Sequence, residues 1–364
     1  MPGQVGAGDG TDSGAGASPD ASASAASPDA SAGTDRGADA GAAASAPGIG
    51  LSRVAVRLPG RVESVDGILE RAGSGLKERR IFAKLHGLRD SPTLAEDERL
   101  EDLLVQAGRA ALDGCPAQLV LYGHTLLLME PDLCGAFRDR LRERLGLPGV
   151  PFTGVSHINC TSVLRAVELA RRFLNRPGAD PAERVLVLGG DQGSRHEHAR
   201  VVPGLTVAGD TVAAVLVQGP GAGRARYRYL GGALVRDARF HRNLRMSPAQ
   251  ATAFAEAVRV QVVQSVRGAA RAAGLELEQL DWVMPHLSNR TMWRGFSNDA
   301  GFPWDRICLD LVAERGHNYG VDALMALEHA DRTGRLSPGD RCALVAVGQG
   351  MYIQTLIVEV LEDS

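Results

Sequence analysis

CTSVLRAVELARRFLNRPGADPAERVLVLGGDQG (160–193) lies without a gap over HNYGVDALMALEHADRTGRLSPGDRCALVAVGQG (317–350) when the chain is shifted by 157 residues. Only five of the 34 aligned positions are identical: Ala166 with Ala323, Pro181 with Pro338, Arg184 with Arg341, Gln192 with Gln349 and Gly193 with Gly350. By number alone such a match could arise by chance. The identities fall, however, at the same structural punctuation: helix, turn, Pro-x-acid-Arg, apolar strand, glycine loop. This predicts two similar α/β halves, 49–222 and 223–364, packed as a pseudo-dimer. Cys160 and His317 then begin equivalent helices, and a two-fold axis brings those helix starts together.

The flanking sequence reads the same way. Short apolar runs at Gln118–Tyr122, Arg184–Leu188, Thr211–Val217, Trp282–Met284, Ala343–Val347 and Tyr352–Val360 predict buried strands. Amphipathic stretches at Leu100–Leu112, Cys160–Leu174, Pro248–Ala273 and Val321–Ala330 predict helices between them. That alternation implies α/β layers with mostly parallel sheets. The last run has no helix after it, so it is expected as an antiparallel member. Residues 1–48 contain no Leu, Ile, Phe, Tyr or Trp and are expected to be a disordered, mildly acidic low-complexity tail.

Charge and cysteine usage narrow the function. The 364 residues carry 40 basic and 43 acidic side chains, a formal charge of −3, which argues against a non-specific nucleic-acid binder. No apolar run is long enough for a membrane span, and no secretory leader is evident. The five cysteines (Cys115, Cys134, Cys160, Cys308, Cys342) show no close pairing, as expected for reduced thiols in a cytoplasm.

Three side chains are candidates for chemistry. Cys160 opens a helix, with Asn159 or Thr161 as prospective cap, and the helix dipole favours its thiolate. The bland alternative is a buried structural cysteine. His286 ends the strand Trp282–Met284 in Pro-His-Leu-Ser-Asn-Arg (285–290), where an α/β fold exposes functional groups. A core histidine bonded to a carbonyl is the alternative there. His317, bracketed by Gly316 and Gly320, matters because the repeat pairs it with Cys160; otherwise it is a capping residue. Asn318 is its competitor by a one-residue slip. The loops 188–193 and 347–351 lack a dinucleotide fingerprint, so amides near Gly348 or Gly350 are expected to hold an oxyanion, unless these are only tight turns. His196 and His198 lack further ligands, and no metal site is expected.

This constellation resembles the β-ketoacyl-acyl-carrier-protein synthase III branch of the thiolase superfamily. The resemblance spans about 49 to 360 and rests on Cys160 at a helix start, the 285–290 motif, the Gly-bracketed turn and the terminal glycine loop. Gly75–Ile81 and Gly209-Asp210 resemble two further family segments. The resemblance implies a five-layer αβαβα fold, usually a homodimer, with Cys160 as acyl-accepting nucleophile and His286 as a second member of its triad. Where the family has asparagine, the ungapped register places His317. Asn318, Asn289, Gly348 and Gly350 are the remaining residues expected to contact the thioester. Residues 60–81 hold no aromatic to stack on an adenine, which favours a carrier-protein phosphopantetheine arm over coenzyme A.

The function expected is acyl transfer. Cys160 takes an acyl group from an acyl-carrier-protein or coenzyme A thioester and passes it to a second nucleophile, with no permanently bound cofactor. Decarboxylative condensation with a malonyl thioester is the alternative, and a non-catalytic partner subunit the second. An imidazole at 317 accepts a proton near neutral pH and an amide does not, which favours plain transfer, in specialised metabolism.

Overall fold

In the computed structural model, residues 48–126, 136–223, 225–241 and 247–362 are described. The expected tail up to residue 47 and residues 127–135, Cys134 among them, lie outside them.

The main sheet contains ten strands among the described residues: β1 (Gly50–Leu51), β2 (Ala55–Arg57), β3 (Leu119–Gly123), β4 (Phe152–Val155), β5 (Arg184–Gly190), β6 (Val212–Gln218), β7 (Tyr227–Arg236), β8 (Trp282–Met284), β9 (Arg341–Gly348) and β10 (Tyr352–Val360). The order is β8-β9-β10-β7-β1-β6-β5-β3-β4, with β2 also on β6. One half runs β3 parallel to β5, β5 antiparallel to β6, and β6 antiparallel to β2. The other half repeats the pattern with β8 parallel to β9, then β9, β10 and β7 antiparallel in turn. The short β1 pairs with both β6 and β7 and joins the two.

Period-two alternation sorts the strand residues into layers. On β5, Val185 and Val187 join one core while Leu186 and Leu188 join another. On β9, Leu344 and Ala346 face the first core while Ala343 and Val345 face a third. The shared core holds the helices α3 (Ser162–Leu174) and α6 (Asp322–Arg332) between the two halves of the sheet. Outside lie α1 (Leu100–Leu112) and α2 (Ala136–Arg144) on one face, α4 (Pro248–Ala272) and α5 (Arg290–Ala300) on the other. This is the five-layer αβαβα arrangement, and β10 is antiparallel as expected.

The expectation of mostly parallel sheets is corrected, since among the described residues six of the nine strand pairs in the main sheet are antiparallel. Two local readings are corrected as well. No side chain caps α3: Thr161 donates to the Ile158 carbonyl (2.5 Å) and Ser162 to that of Asn159 (2.6 Å), forming a 3-10 turn over Asn159–Thr161 before the helix. The ten-residue β7 was not anticipated, because Arg228, Gly231, Gly232 and Arg236 interrupt its apolar pattern. It is held by pairing with β10 along most of its length.

Close approach seats α3. At Gly123, the end of β3, a Cβ would meet backbone: Val163 Cα at 2.7 Å and Val163 N at 2.9 Å. Gly123→Ala is therefore expected to push the start of α3 outward, lowering stability by about 1–3 kcal/mol. Urea unfolding measures this; an unchanged midpoint would mean the helix start yields freely.

Candidate active site

Cys160 sits in the 3-10 turn at the start of α3, 6% exposed. Its sulfur is 3.6 Å from Nε2 of His317 and 3.5 Å from Oδ1 of Asn159. His317 Nδ1 lies 2.7 Å from Oδ2 of Asp322, the first residue of α6. The turn carrying His317 is tied down by Gly209, whose amide donates to the His317 carbonyl at 2.8 Å. His286 follows β8 through Pro285, and the Trp293 indole donates to its carbonyl at 2.6 Å. Its ring meets that of His317 edge-on, with centroids 4.4 Å apart. The sulfur and one ring nitrogen of each histidine all lie within 4.8 Å of one another.

Asp322 organises this cluster. Oδ2 also accepts the Leu287 amide (2.8 Å), and Oδ1 accepts the Asn318 amide (2.6 Å). Nδ1 of His286 stands 3.2 Å from the same Oδ2 but makes no hydrogen bond among the described residues. Backbone strain gathers here too. His157, Asn159, Tyr319 and Met351 all have φ between +53° and +67°, and each lies within three residues of Cys160, His317 or Gly348.

The environment splits the two imidazoles. Burial disfavours charge on His317, but the Asp322 carboxylate and the sulfur outweigh it and hold its pKa up to about 10. For His286, burial and the neighbouring His317 push the pKa down to about 3, with Asp322 opposing only in part. The ring at 317 is thus imidazolium at neutral pH and the ring at 286 neutral.

A pH dependence of stability follows. Both rings titrate near 6.5 when unfolded. Below that pH the unfolded chain protonates His286 while the folded protein does not, so stability falls with acid. Above it the folded protein keeps the His317 proton that the unfolded chain loses, so stability falls as pH rises toward 10. Urea midpoints are expected to have a shallower acid decline in His286→Gln and a shallower alkaline decline in His317→Gln. Parallel profiles in all three proteins would contradict this.

The other expected site residues are placed as follows. Asn318 turns away from the sulfur: its Oδ1 accepts the Thr211 amide (3.2 Å), and its Nδ2 donates to the Arg315 and Gly316 carbonyls. Asn289 caps α5 through the Met292 amide (2.8 Å) and donates to the Leu205 carbonyl. Both side-chain amides bond backbone groups here. Gly348 packs directly against the nucleophile turn, where a Cβ would meet the Ile158 carbonyl at 2.8 Å and the Cys160 amide nitrogen at 3.4 Å. Gly350, at φ +82°, forms the tight turn between β9 and β10. His196 and His198 stack on each other at 5.3 Å, away from this cluster of potential ligands. Cys308 and Cys342 are buried, and burial raises the thiol pKa of each, to about 12 for Cys308.

Two residues were missed in the sequence. Asp322 opens a helix, where an acid is unremarkable. Asp191 accepts the Thr125 and Leu126 amides (both 2.8 Å), and Leu126 packs against the small cluster of Cys160, Ala208 and Tyr319. Its polar contacts all come from a distant segment, and burial raises its pKa to about 6.

Known proteins resemble this chain in both sequence and fold. Residues 270–360 match the family "3-Oxoacyl-[acyl-carrier-protein (ACP)] synthase III C terminal". The β-ketoacyl-[acyl-carrier-protein] synthase III of Rhodospirillum rubrum is 28% identical over 280 residues, covering 70% of this chain and 83% of that one. In sequence the chain is thus similar to β-ketoacyl-[acyl-carrier-protein] synthase III proteins. Two solved structures share the fold of this chain. The acyltransferase ChlB3 superposes with a TM-score of 0.73 at 21% identity, over 86% of this chain and 98% of that one. The synthase III FabH of Pseudomonas aeruginosa PAO1 gives 0.71 at 21%, over 87% and 99%. Among the described residues, no helix is long and apolar enough to cross a membrane.

Proposed function

We propose that the protein is an acyltransferase that loads an acyl group onto Cys160 from a carrier-protein phosphopantetheine or coenzyme A thioester and delivers it to a hydroxyl or amine. The observation that carries this is the line Cys160 Sγ, His317 Nε2, His317 Nδ1, Asp322 Oδ2, with 3.6 Å and 2.7 Å at its two contacts. It has the roles of nucleophile, base and orienting carboxylate.

The reaction starts with the Cys160 thiol proton transferred to His317 Nε2, which gives the nucleophile and an imidazolium. Thiolate attack on the thioester carbonyl forms a tetrahedral intermediate, whose oxyanion is held by the amides of Cys160 and of the 348–351 turn. Collapse breaks the bond to the pantetheine sulfur, which leaves with the proton from His317 Nε2. His317 is then neutral, with a lone pair facing the acyl-enzyme. It takes the proton of an incoming hydroxyl or amine as that group attacks the acyl carbon. The second collapse restores thiolate and imidazolium. Asp322 keeps the proton on Nδ1 throughout, and neutral His286 donates a hydrogen bond to the thioester oxygen.

A second reading is decarboxylative condensation with a malonyl thioester; it draws support from the relatives named as synthases. The homodimer expected from the resemblance is tested by size-exclusion chromatography with light scattering. The deciding experiment is intact-mass measurement after exposure to a library of acyl thioesters, followed by acceptors. The expected result is an acyl adduct on Cys160 discharged by a hydroxyl or amine without carbon dioxide. Carbon dioxide released from malonyl thioester in step with product would select condensation. No adduct from any thioester would select a non-catalytic partner subunit.

A further inference from the structure

We infer that Cys160, His286 and His317 form a zinc-binding site that silences the nucleophile. A thiolate and two imidazoles are a donor set suited to zinc. Tetrahedral zinc with Zn–S of about 2.3 Å and Zn–N of about 2.0–2.1 Å needs a sulfur-to-nitrogen separation of roughly 3.5–3.6 Å. The observed distance from Cys160 Sγ to His317 Nε2 is 3.6 Å, and all three ligand atoms lie within 4.8 Å of one another. His286 is buried beside them, 5% exposed, and one of its ring nitrogens belongs to the same group of ligand atoms.

The surrounding groups fit as well. Metal-bound histidines characteristically hand their other ring N–H to a carboxylate, which fixes tautomer and orientation. Asp322 does this for His317 at 2.7 Å and stands 3.2 Å from Nδ1 of His286. The ion's two charges are balanced by the thiolate and this carboxylate. Three protein ligands leave the fourth position to water. Binding converts the sulfur lone pair that would attack a thioester into a metal bond and releases the proton between sulfur and Nε2 to solvent. An asparagine at 317 would offer only an amide oxygen and leave two nitrogen and sulfur ligands.

The site rests on geometry alone; its inhibitory effect rests on the acyl-transfer reading. The test titrates zinc ion into the reduced full chain against a chromogenic zinc indicator, with cobalt ion as a second probe. Wild type is expected to bind one zinc per chain. Cys160→Ala and His317→Asn, checked for folding by circular dichroism, are expected to bind at least tenfold more weakly. Bound cobalt should show a thiolate charge-transfer band that Cys160→Ala abolishes. Stoichiometric zinc should block the acyl adduct, and a chelator should restore it. Absence of saturable binding, or binding unchanged in both variants, would overturn the site. Zinc binding by a protein that forms no adduct without zinc would uphold the site and refute the acyl-transfer reading.

Discussion

His317→Ala is expected to reduce acyl transfer by about 10²–10⁴-fold, the span typical of losing a general acid–base group. The variant loses the proton that leaves with the pantetheine sulfur and the base that receives the acceptor's proton. Asn318→Ala is the informative control. Among the described residues, that side chain bonds Thr211, Arg315 and Gly316 backbone groups only. Its loss should cost about 1–3 kcal/mol of stability through unpaired buried groups, with turnover per folded molecule nearly unchanged. Single-turnover kinetics and urea unfolding of both variants give the answer. A reversed pattern, with Asn318→Ala inactive and His317→Ala active, would move the third active-site group by one residue.

Asp322→Ala should be the most disruptive single change near the site. The carboxylate is 1% exposed and accepts from the Leu287 amide, the Asn318 amide and His317 Nδ1. Removing it strands three buried donors, one on a charged ring, at a cost of about 3–5 kcal/mol. Asp322→Asn preserves the shape and separates folding from chemistry. It retains one accepting oxygen but no negative charge, so the imidazolium of His317 loses its counter-ion. Turnover should fall by up to about 10⁴-fold, and the alkaline limb of the stability profile should flatten. If Asp322→Asn keeps full transfer rate and its pH profile, the carboxylate is only a brace for the α6 start.

The alignment of 160–193 with 317–350 carried much of the reading. A local pattern repeated at a fixed offset reports symmetry without requiring any long-range contact to be known. It places the sulfur opposite an imidazole, as the 3.6 Å contact shows. Helices such as Leu100–Leu112 were legible because their apolar spacing is set by the helix period. β7 was not, since its Gly231-Gly232 and its arginines obscure the pattern and its partner β10 lies more than a hundred residues away.

The sequence by itself determined the layered α/β class and the residue types that lie together around Cys160. These depend on side-chain periodicity and on residues adjacent in the chain. Tertiary structure alone decided which of His317 and Asn318 faces the sulfur, that Asp322 gathers both histidines and two amides, and that Asn289 serves backbone. One turn sends neighbouring side chains in opposite directions, and only packing against β6, α3 and the start of α6 selects which direction holds the sulfur.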